Sequence, residues 1–255
     1  MKEERVFRQA MIFAAGLGTR LKPLTDTMPK ALVKIGGEPL IKHVILRLKE
    51  AGFQRIVVNV HHFAQQIIDY LEENDHFGLD IRISDETEQL LETGGGIKKA
   101  RELFDPHSPI LIHNVDILSN MDLTAFYDQA VTSETDALLL VSKRNTKRYL
   151  LFDEEKQLVG WTNLATGEVK SPHDWVRNDG SLQMLAFSGI HVFSPSLFPL
   201  MDEWPDRFPI IDFYLHACAT YSITGFEAEQ LHMFDVGKLD SLQQAEEFLV
   251  SNNPY

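Results

Sequence analysis

From Val6 to Val115 the chain alternates short apolar runs with longer stretches in which apolar side chains recur every three or four positions, and this alternation limits its fold most tightly. Val6–Ala15, Ile56–Val60, Ile81–Ser84 and Ile110–Val115 read as strands. The first helical face, Leu40, Ile41, Val44, Ile45 and Leu48, opens at Pro39 and closes at Gly52. A second carries Phe63, Ile67, Ile68 and Leu71, and a third, after the glycines at 94–96, carries Ile97, Ala100, Leu103 and Phe104. Strands joined by crossover helices lie parallel and are covered on both faces. The pattern therefore predicts a three-layer α/β/α sandwich around a mixed, mostly parallel sheet.

The second half is less regular. Leu123, Phe126, Tyr127 and Ala130 mark a helix, Ala137–Ser142 a strand, and Leu150–Phe152 with Leu158–Trp161 a hairpin whose tip, Asp153-Glu154-Glu155-Lys156, is solvated. Residues 163–182 are polar and read as a long loop. Met184–Phe193 returns to strand, Ile211, Tyr214, Leu215 and Cys218 mark a helix, and Leu239, Leu242, Ala245 and Phe248 mark a last one. Met184 and Phe187 read as core or pocket lining.

The net charge of −13 argues against a nucleic-acid or anionic-membrane surface, which needs a basic face. Residues 20–34 reverse that sign locally, with Arg20, Lys22, Lys30 and Lys34 against Asp26 alone, as a site for a small polyanion would. The single cysteine, Cys218, lies in an apolar setting and reads as core; one thiol builds neither an internal disulfide nor a cysteine-ligated metal site. No run is long and apolar enough to span a bilayer, and charges interrupt the start, so the expected location is the cytoplasm. His61 and His62 fit no metal-binding spacing and read as ordinary core or surface residues.

Gly16-Leu17-Gly18-Thr19-Arg20, between strand and helix, can offer backbone N–H groups to a phosphate without a Cβ in the way; a plain tight turn is the alternative. It matches neither G-x-x-x-x-G-K-S/T nor G-x-G-x-x-G, whose third glycine is Leu21 here. Asp116 ends an apolar strand and Asp235 lies in Phe-Asp-Val-Gly; each is either a hard-metal ligand or a cap or turn former.

The segment Phe13–Gly37, with AAGLGTR followed ten residues after Arg20 by Lys30 in Pro-Lys-Ala-Leu, resembles the signature of the sugar-1-phosphate nucleotidyltransferases. The resemblance continues through Leu91–Gly96 (LETGGG), Asn114-Val115-Asp116, Phe187-Ser188-Gly189-Ile190 and Asp235-Val236-Gly237, covering nearly the whole chain. It implies a Rossmann-like, GT-A-type fold in one domain over 1–255, with a nucleotide-binding half at about 1–120, a sugar-binding half at about 121–235 and a C-terminal helix at 236–255. It also implies transfer of a nucleotidyl group from a nucleoside triphosphate to a sugar 1-phosphate, with Mg²⁺ and pyrophosphate release. UTP with N-acetylmuramic acid 1-phosphate is the pair expected first, and GTP with mannose 1-phosphate the alternative.

By the same resemblance Arg20 serves the β and γ phosphates and Lys30 the reacting phosphate, while Ala14, Ala15, Gly16, Gly18, Thr19, Glu92, Thr93 and Gly94 bind the nucleotide. Asn163, Ser188 and Gly189 face the sugar, and Asp116 and Asp235 hold the metal. The glycines of LETGGG read as a lead-in to the helix that follows. Two departures stand out: Val115 takes the place of a common glycine, and no Glu-Lys-Pro precedes Phe187. A GT-A glycosyltransferase would want D-x-D where this chain has Asn114-Val115-Asp116. A silent nucleotide-sugar sensor would be expected to lack one of Arg20, Lys30, Asp116 and Asp235, and all four are present.

Overall fold

A computed structural model describes residues 7–238 and 240–252. In chain order the strands are β1 (Gln9–Phe13), β2 (Lys34–Ile35), β3 (Glu38–Pro39), β4 (Arg55–Val60), β5 (Asp80–Asp85), β6 (Ile110–Asn114), β7 (Ile117–Ser119), β8 (Ala137–Ser142), β9 (Arg148–Phe152), β10 (Leu158–Asn163), β11 (Glu168–Lys170), β12 (Gln183–Phe193), β13 (Ile223–Glu227) and β14 (Met233–Asp235). The helices are α1 (Leu40–Glu50), α2 (Ala64–Glu73), α3 (Glu92–Ala100), α4 (Leu123–Thr132), α5 (Phe198–Met201), α6 (Ile210–Ala217) and α7 (Asp240–Asn252).

The central sheet is mixed and mostly parallel: β6, β1, β4 and β5 run side by side in one direction. At β12 it turns antiparallel, because that 11-residue strand pairs with β6 and β8 toward its end and with β9 at its start. β10 and β11 extend the β9 edge, and β13 adds to β8. The period of two along each strand sorts side chains into two cores. Ala10, Ile12, Ile56, Val58 and Leu111 point to one, roofed by α1, α2, α4 and α7; Met11, Val57, Ile110 and Ile112 point to the other, with α3, α5 and α6. These two cores are the two sides of the expected α/β/α sandwich.

The chain runs from β1 outward through α1, β4, α2 and β5, then returns through α3 to β6 on the other side of β1. This reversal leaves a crevice beyond the carboxyl ends of β1 and β6, where open α/β sheets bind ligands.

Four expectations need correction. Residues 163–182 are not one loop: β11 pairs with β10, and Asp174–Asn178 forms a 3-10 turn whose Val176 packs with Leu151 and Val159. These pieces are too short to show a period. The glycines 94–96 lie inside α3, not ahead of it. Met184 is 48% exposed, and Cys218 is only half-buried, its thiol pushed up to about 11 by burial. Val6 and Leu239 fall outside the described residues.

His191 on β12 is fully buried, packs against Phe187 and Tyr214, and has no hydrogen-bond partner on either ring nitrogen. Burial pushes its pKa down to about 3 and that of His113 on β6 to about 4. Below the unfolded value of about 6.5 the unfolded chain takes up protons that the folded one refuses, so stability falls as pH drops from there toward those values. At pH 5 each histidine costs about 2 kcal/mol relative to neutral pH. We expect His191→Phe to show a smaller loss of urea stability between pH 8 and pH 5 than the wild type, by about that amount. Equal losses in both proteins would remove His191 as a cause.

Candidate active site

A cleft of about 360 Å³ opens at this crevice, lined by Phe13–Gly16, Lys30, Asn59, Glu86, Leu90, Glu92, Thr93 and Asn114–Asp116. Each main parallel strand delivers its last residues to it. From β1 comes the glycine loop. The backbone N–H groups of Ala14 and Ala15 donate to Asn59 Oδ1 at 2.7 and 3.3 Å, which fixes the start of the loop. Asn59 Nδ2 donates to Glu86 Oε1 at 2.8 Å, and Glu86 Oε2 accepts from the Leu91 amide at 3.1 Å. Asn59 and Glu86 are buried, so this brace is shielded from water and holds β1, β4 and the entry to α3 in one geometry. Sequence reading did not single out either residue for the site. The only signal was a polar residue near the end of each strand.

Gly16 has nothing within 4 Å of the place a Cβ would take, leaving the loop open to a ligand. Gly18 has φ +62° and its Cβ would lie 2.8 Å from Thr25, whose hydroxyl donates to the Gly18 carbonyl at 2.8 Å. That bond folds the basic loop back on itself. Thr19 and Arg20 stay exposed, while Lys30 is pulled inward by the short 3-10 turn Lys30–Leu32.

Lys30 Nζ donates to Asp116 Oδ2 in a close ion pair. Asp116 follows β6, and the next strand, β7, pairs antiparallel with β14 so that Asp235 lies opposite Ile117. The Val236 amide donates to the Asp116 carbonyl at 2.8 Å. Residues far apart in the chain are thus joined through a three-residue ribbon. A Cβ on Gly237 would lie 2.6 Å from Asp235 Oδ1 and 2.8 Å from Arg20 Nη2, so glycine there lets the Asp235 carboxylate and the Arg20 guanidinium approach. The helix-cap alternative for Asp116 does not hold, because Asp122 caps α4 by accepting from the Ala125 amide at 2.9 Å. Among the described residues no group of three or more His, Cys, Asp or Glu could hold a metal; Asp116 lines the cleft together with Glu86 and Glu92, and Asp235 lies across the ribbon from Ile117. Val115 is buried on the cleft wall, its amide donating to the Phe13 carbonyl at 3.2 Å.

The opening of α3 is built differently from the lead-in expected. The Gly94 and Gly95 amides both donate to the Phe208 carbonyl, at 2.8 and 3.2 Å. A Cβ on Gly94 would lie 2.2 Å from the Phe208 ring, and one on Gly95 2.0 Å from the Asp206 carbonyl. The glycines let the segment ahead of α6 lie flat on the helix, and their amides are spent there. Glu92 accepts from Arg207 at 3.0 Å and Thr93 Oγ1 from the Ile210 amide at 2.9 Å, so both cleft residues also tie α3 to that segment.

Ser188 is buried with no partner on its hydroxyl, and Gly189, at φ +77°, makes the irregularity in β12 that brings the strand against Asn114. Asn163 lies apart from these, in a second pocket with Arg144, Arg148, Trp161 and Phe187.

Known proteins resemble this chain in sequence and in fold. A family described as nucleotidyl transferase matches residues 9–157. An N-acetylmuramate alpha-1-phosphate uridylyltransferase of Caulobacter vibrioides is 33% identical over 234 residues, 88% of this chain and 90% of that protein. One of the same name from Neisseria meningitidis is 44% identical over 122 residues, 48% of this chain and 52% of that one. Mannose-1-phosphate guanyltransferase of Kluyveromyces lactis is 29% identical over 80% of this chain and 56% of its own length. Among solved structures, HddC from Yersinia pseudotuberculosis, complexed with GMP-PN, superposes with a TM-score of 0.72 at 22% identity, covering 95% of this chain and 100% of that one. UDP-glucose pyrophosphorylase from Acinetobacter baumanii gives 0.76 at 17% identity, covering 96% and 93%. The chain belongs to the nucleotidyl transferase family and is a sugar-1-phosphate nucleotidyltransferase. Among the described residues no helix is long and apolar enough to cross a membrane.

Proposed function

We propose that this enzyme joins UTP to N-acetylmuramic acid 1-phosphate, forming the nucleotide sugar and pyrophosphate with the help of Mg²⁺. The observation that carries the reaction is the Lys30–Asp116 pair at the carboxyl ends of β1 and β6, with Asp235 folded back to it. The two uridylyltransferases that the chain resembles support the choice of substrates.

In this reading an oxygen of the sugar phosphate attacks the α-phosphorus in line, and the bond from that phosphorus to pyrophosphate breaks. The attacking phosphate is already ionised, so no general base is required, and the residues act by charge and position. Lys30 offsets negative charge at the reacting phosphate, and Arg20, with its planar fork of donors, takes the outer phosphates. The open backbone at Gly16 receives the triphosphate, Ala14, Ala15, Gly18, Thr19, Glu92 and Thr93 shape the nucleotide side, while Gly94, expected there too, instead holds α3 against Phe208, and Asn163, Ser188 and Gly189 shape the sugar side.

The residues fit a hard cation. Lys30 places an ammonium on the Asp116 carboxylate, where positive charge is already accommodated, and two carboxylates plus phosphate oxygens are a usual Mg²⁺ donor set. Asp116 and Asp235 would hold the ion, which when bound supplies further charge neutralisation at the phosphates.

The test is pyrophosphate release with UTP, GTP, dTTP, CTP and ATP, each crossed with the 1-phosphates of N-acetylmuramic acid, N-acetylglucosamine, glucose and mannose. Turnover strongest with UTP and the muramic acid compound supports the proposal. A preference for GTP with mannose 1-phosphate would replace it, and no turnover by folded, nucleotide-binding protein would favour a sensor.

A further inference from the structure

Within a chain of net charge −13, residues 143–148 read Lys-Arg-Asn-Thr-Lys-Arg, four cations with no acid, between β8 and β9. Arg144 and Arg148 reach the second pocket, of about 550 Å³. Its sheet wall is ordered by the register of β9, β10 and β11. Arg148, Asn163 and Glu168 are directly opposite one another across the three strands, and one pleat further on so are Leu150, Trp161 and Lys170. All six line the pocket. Neighbouring strands lie about 4.8 Å apart, so each row spans roughly 10 Å, the width of a substituted pyranose.

The charges in this wall are not equally engaged. Lys170 is paired with Asp212 at 3.3 Å and stands over the Trp161 ring. Arg144 is held in place by Nη2 donating to the Phe187 carbonyl at 3.0 Å, which leaves the rest of its guanidinium fork unassigned. The loop that carries it is pinned by the Thr146 amide, which donates to the Tyr149 hydroxyl at 3.0 Å. Among the described residues neither Arg144 nor Arg148 forms an ion pair. The pocket also holds the carboxylates of Glu168 and of Asp212, the latter paired with Lys170, so its three cations outnumber its two acids; with an indole face and an amide beside two arginines outside any ion pair, it is suited to a sugar that carries its own carboxylate.

The pocket adjoins the transfer cleft. Phe187 on its wall leads directly into Ser188 and Gly189, and Gly189 packs on Asn114 of the cleft. On the other side Thr93 of the cleft accepts from Ile210, between the pocket residues Pro209 and Ile211. The cleft has its own cation in Lys30, with Arg20 near Asp235, so the 1-phosphate is already served there.

We infer that Arg148 and Arg144 recognise a carboxylate on the acceptor sugar and so select an acidic sugar 1-phosphate over its neutral counterpart. This rests on the nucleotidyl-transfer reading and adds the residues that set its acceptor class.

The test compares N-acetylmuramic acid 1-phosphate, which bears a carboxylate, with N-acetylglucosamine 1-phosphate, which lacks that side arm, and with the methyl ester of the acidic compound. Turnover is measured in wild type, Arg148→Gln, Arg144→Gln and Arg148→Lys, and acceptor binding by calorimetry in the same proteins. For Arg148→Gln the expected result is a rise in KM for the acidic acceptor of about tenfold to a hundredfold more than for the neutral one, with partial rescue in Arg148→Lys. Equal losses on both acceptors would mean that the arginines serve the 1-phosphate or the fold, and would overturn the inference. So would a wild type that does not distinguish the acid from its ester. If no acceptor is turned over but the acid binds more tightly than the ester, and Arg148→Gln abolishes the difference, the transfer reading fails and the carboxylate site stands.

Discussion

Lys30→Met is expected to lower kcat for nucleotide-sugar formation by about a thousandfold, or about 4 kcal/mol of transition-state stabilisation, while the KM for the nucleotide changes much less. The asymmetry follows from position. Lys30 is buried at the mouth of the sheet, against Asp116, and in the proposed reaction its charge would matter most as charge redistributes at the reacting phosphorus. Its loss leaves an Asp116 side chain that is still 17% exposed, so water solvates the freed carboxylate and the urea midpoint should shift little. Lys30→Arg should recover part of the rate, because the charge returns with the wrong shape. Steady-state kinetics on the three proteins decide it, and a kcat within tenfold of wild type for Lys30→Met would remove Lys30 from the chemistry.

Asp116→Asn is expected to cost a similar factor, about a thousandfold in kcat/KM, and to raise the Mg²⁺ concentration needed for half-maximal rate. Asp235→Asn should move the same two quantities in the same directions, since the β7–β14 ribbon sets it opposite Ile117, the neighbour of Asp116. Chelation should silence the wild type, with rates restored by Mg²⁺ but not by the larger Ca²⁺. Metal titrations of initial rate are the measurement. An Asp116→Asn protein with the wild-type Mg²⁺ dependence would show that its carboxylate is not a ligand.

Much of this was legible in the sequence where the cause is local. Apolar periodicity alone located β1, α1, β4, α2 and β6, because each element buries one face against its neighbours in the chain. The open glycine loop and the cluster of cations in residues 20–34 were visible for the same reason. What escaped depends on long-range contact. Asn59 is one polar residue within β4 and Glu86 stands in a polar run just after β5, and nothing nearby in sequence says that the two are bonded across the sheet. β7 and β14 have three residues each, too few to carry a period, yet they deliver Asp235. Glycine is a poor helix former, so the run at 94–96 reads as a lead-in; tertiary packing overrides that preference, because only glycine lets the Asp206 and Phe208 backbone lie against α3. The Asn163 pocket was half visible: the residue was picked out, but its neighbours Arg148 and Glu168 come from different strands and meet it only through register.

The ribbon that joins Asp116 to Asp235 is also completed late in the synthesis of the chain. The parallel strands, the glycine loop and Lys30 are all made in the first half of the chain, whereas Asp235, Gly237 and the strand that carries them leave the ribosome more than a hundred residues after Asp116. Domains commonly fold from the N-terminal side as they are made. An unfinished chain can therefore assemble the strands and loops that line the cleft before Asp235 is there to join Asp116.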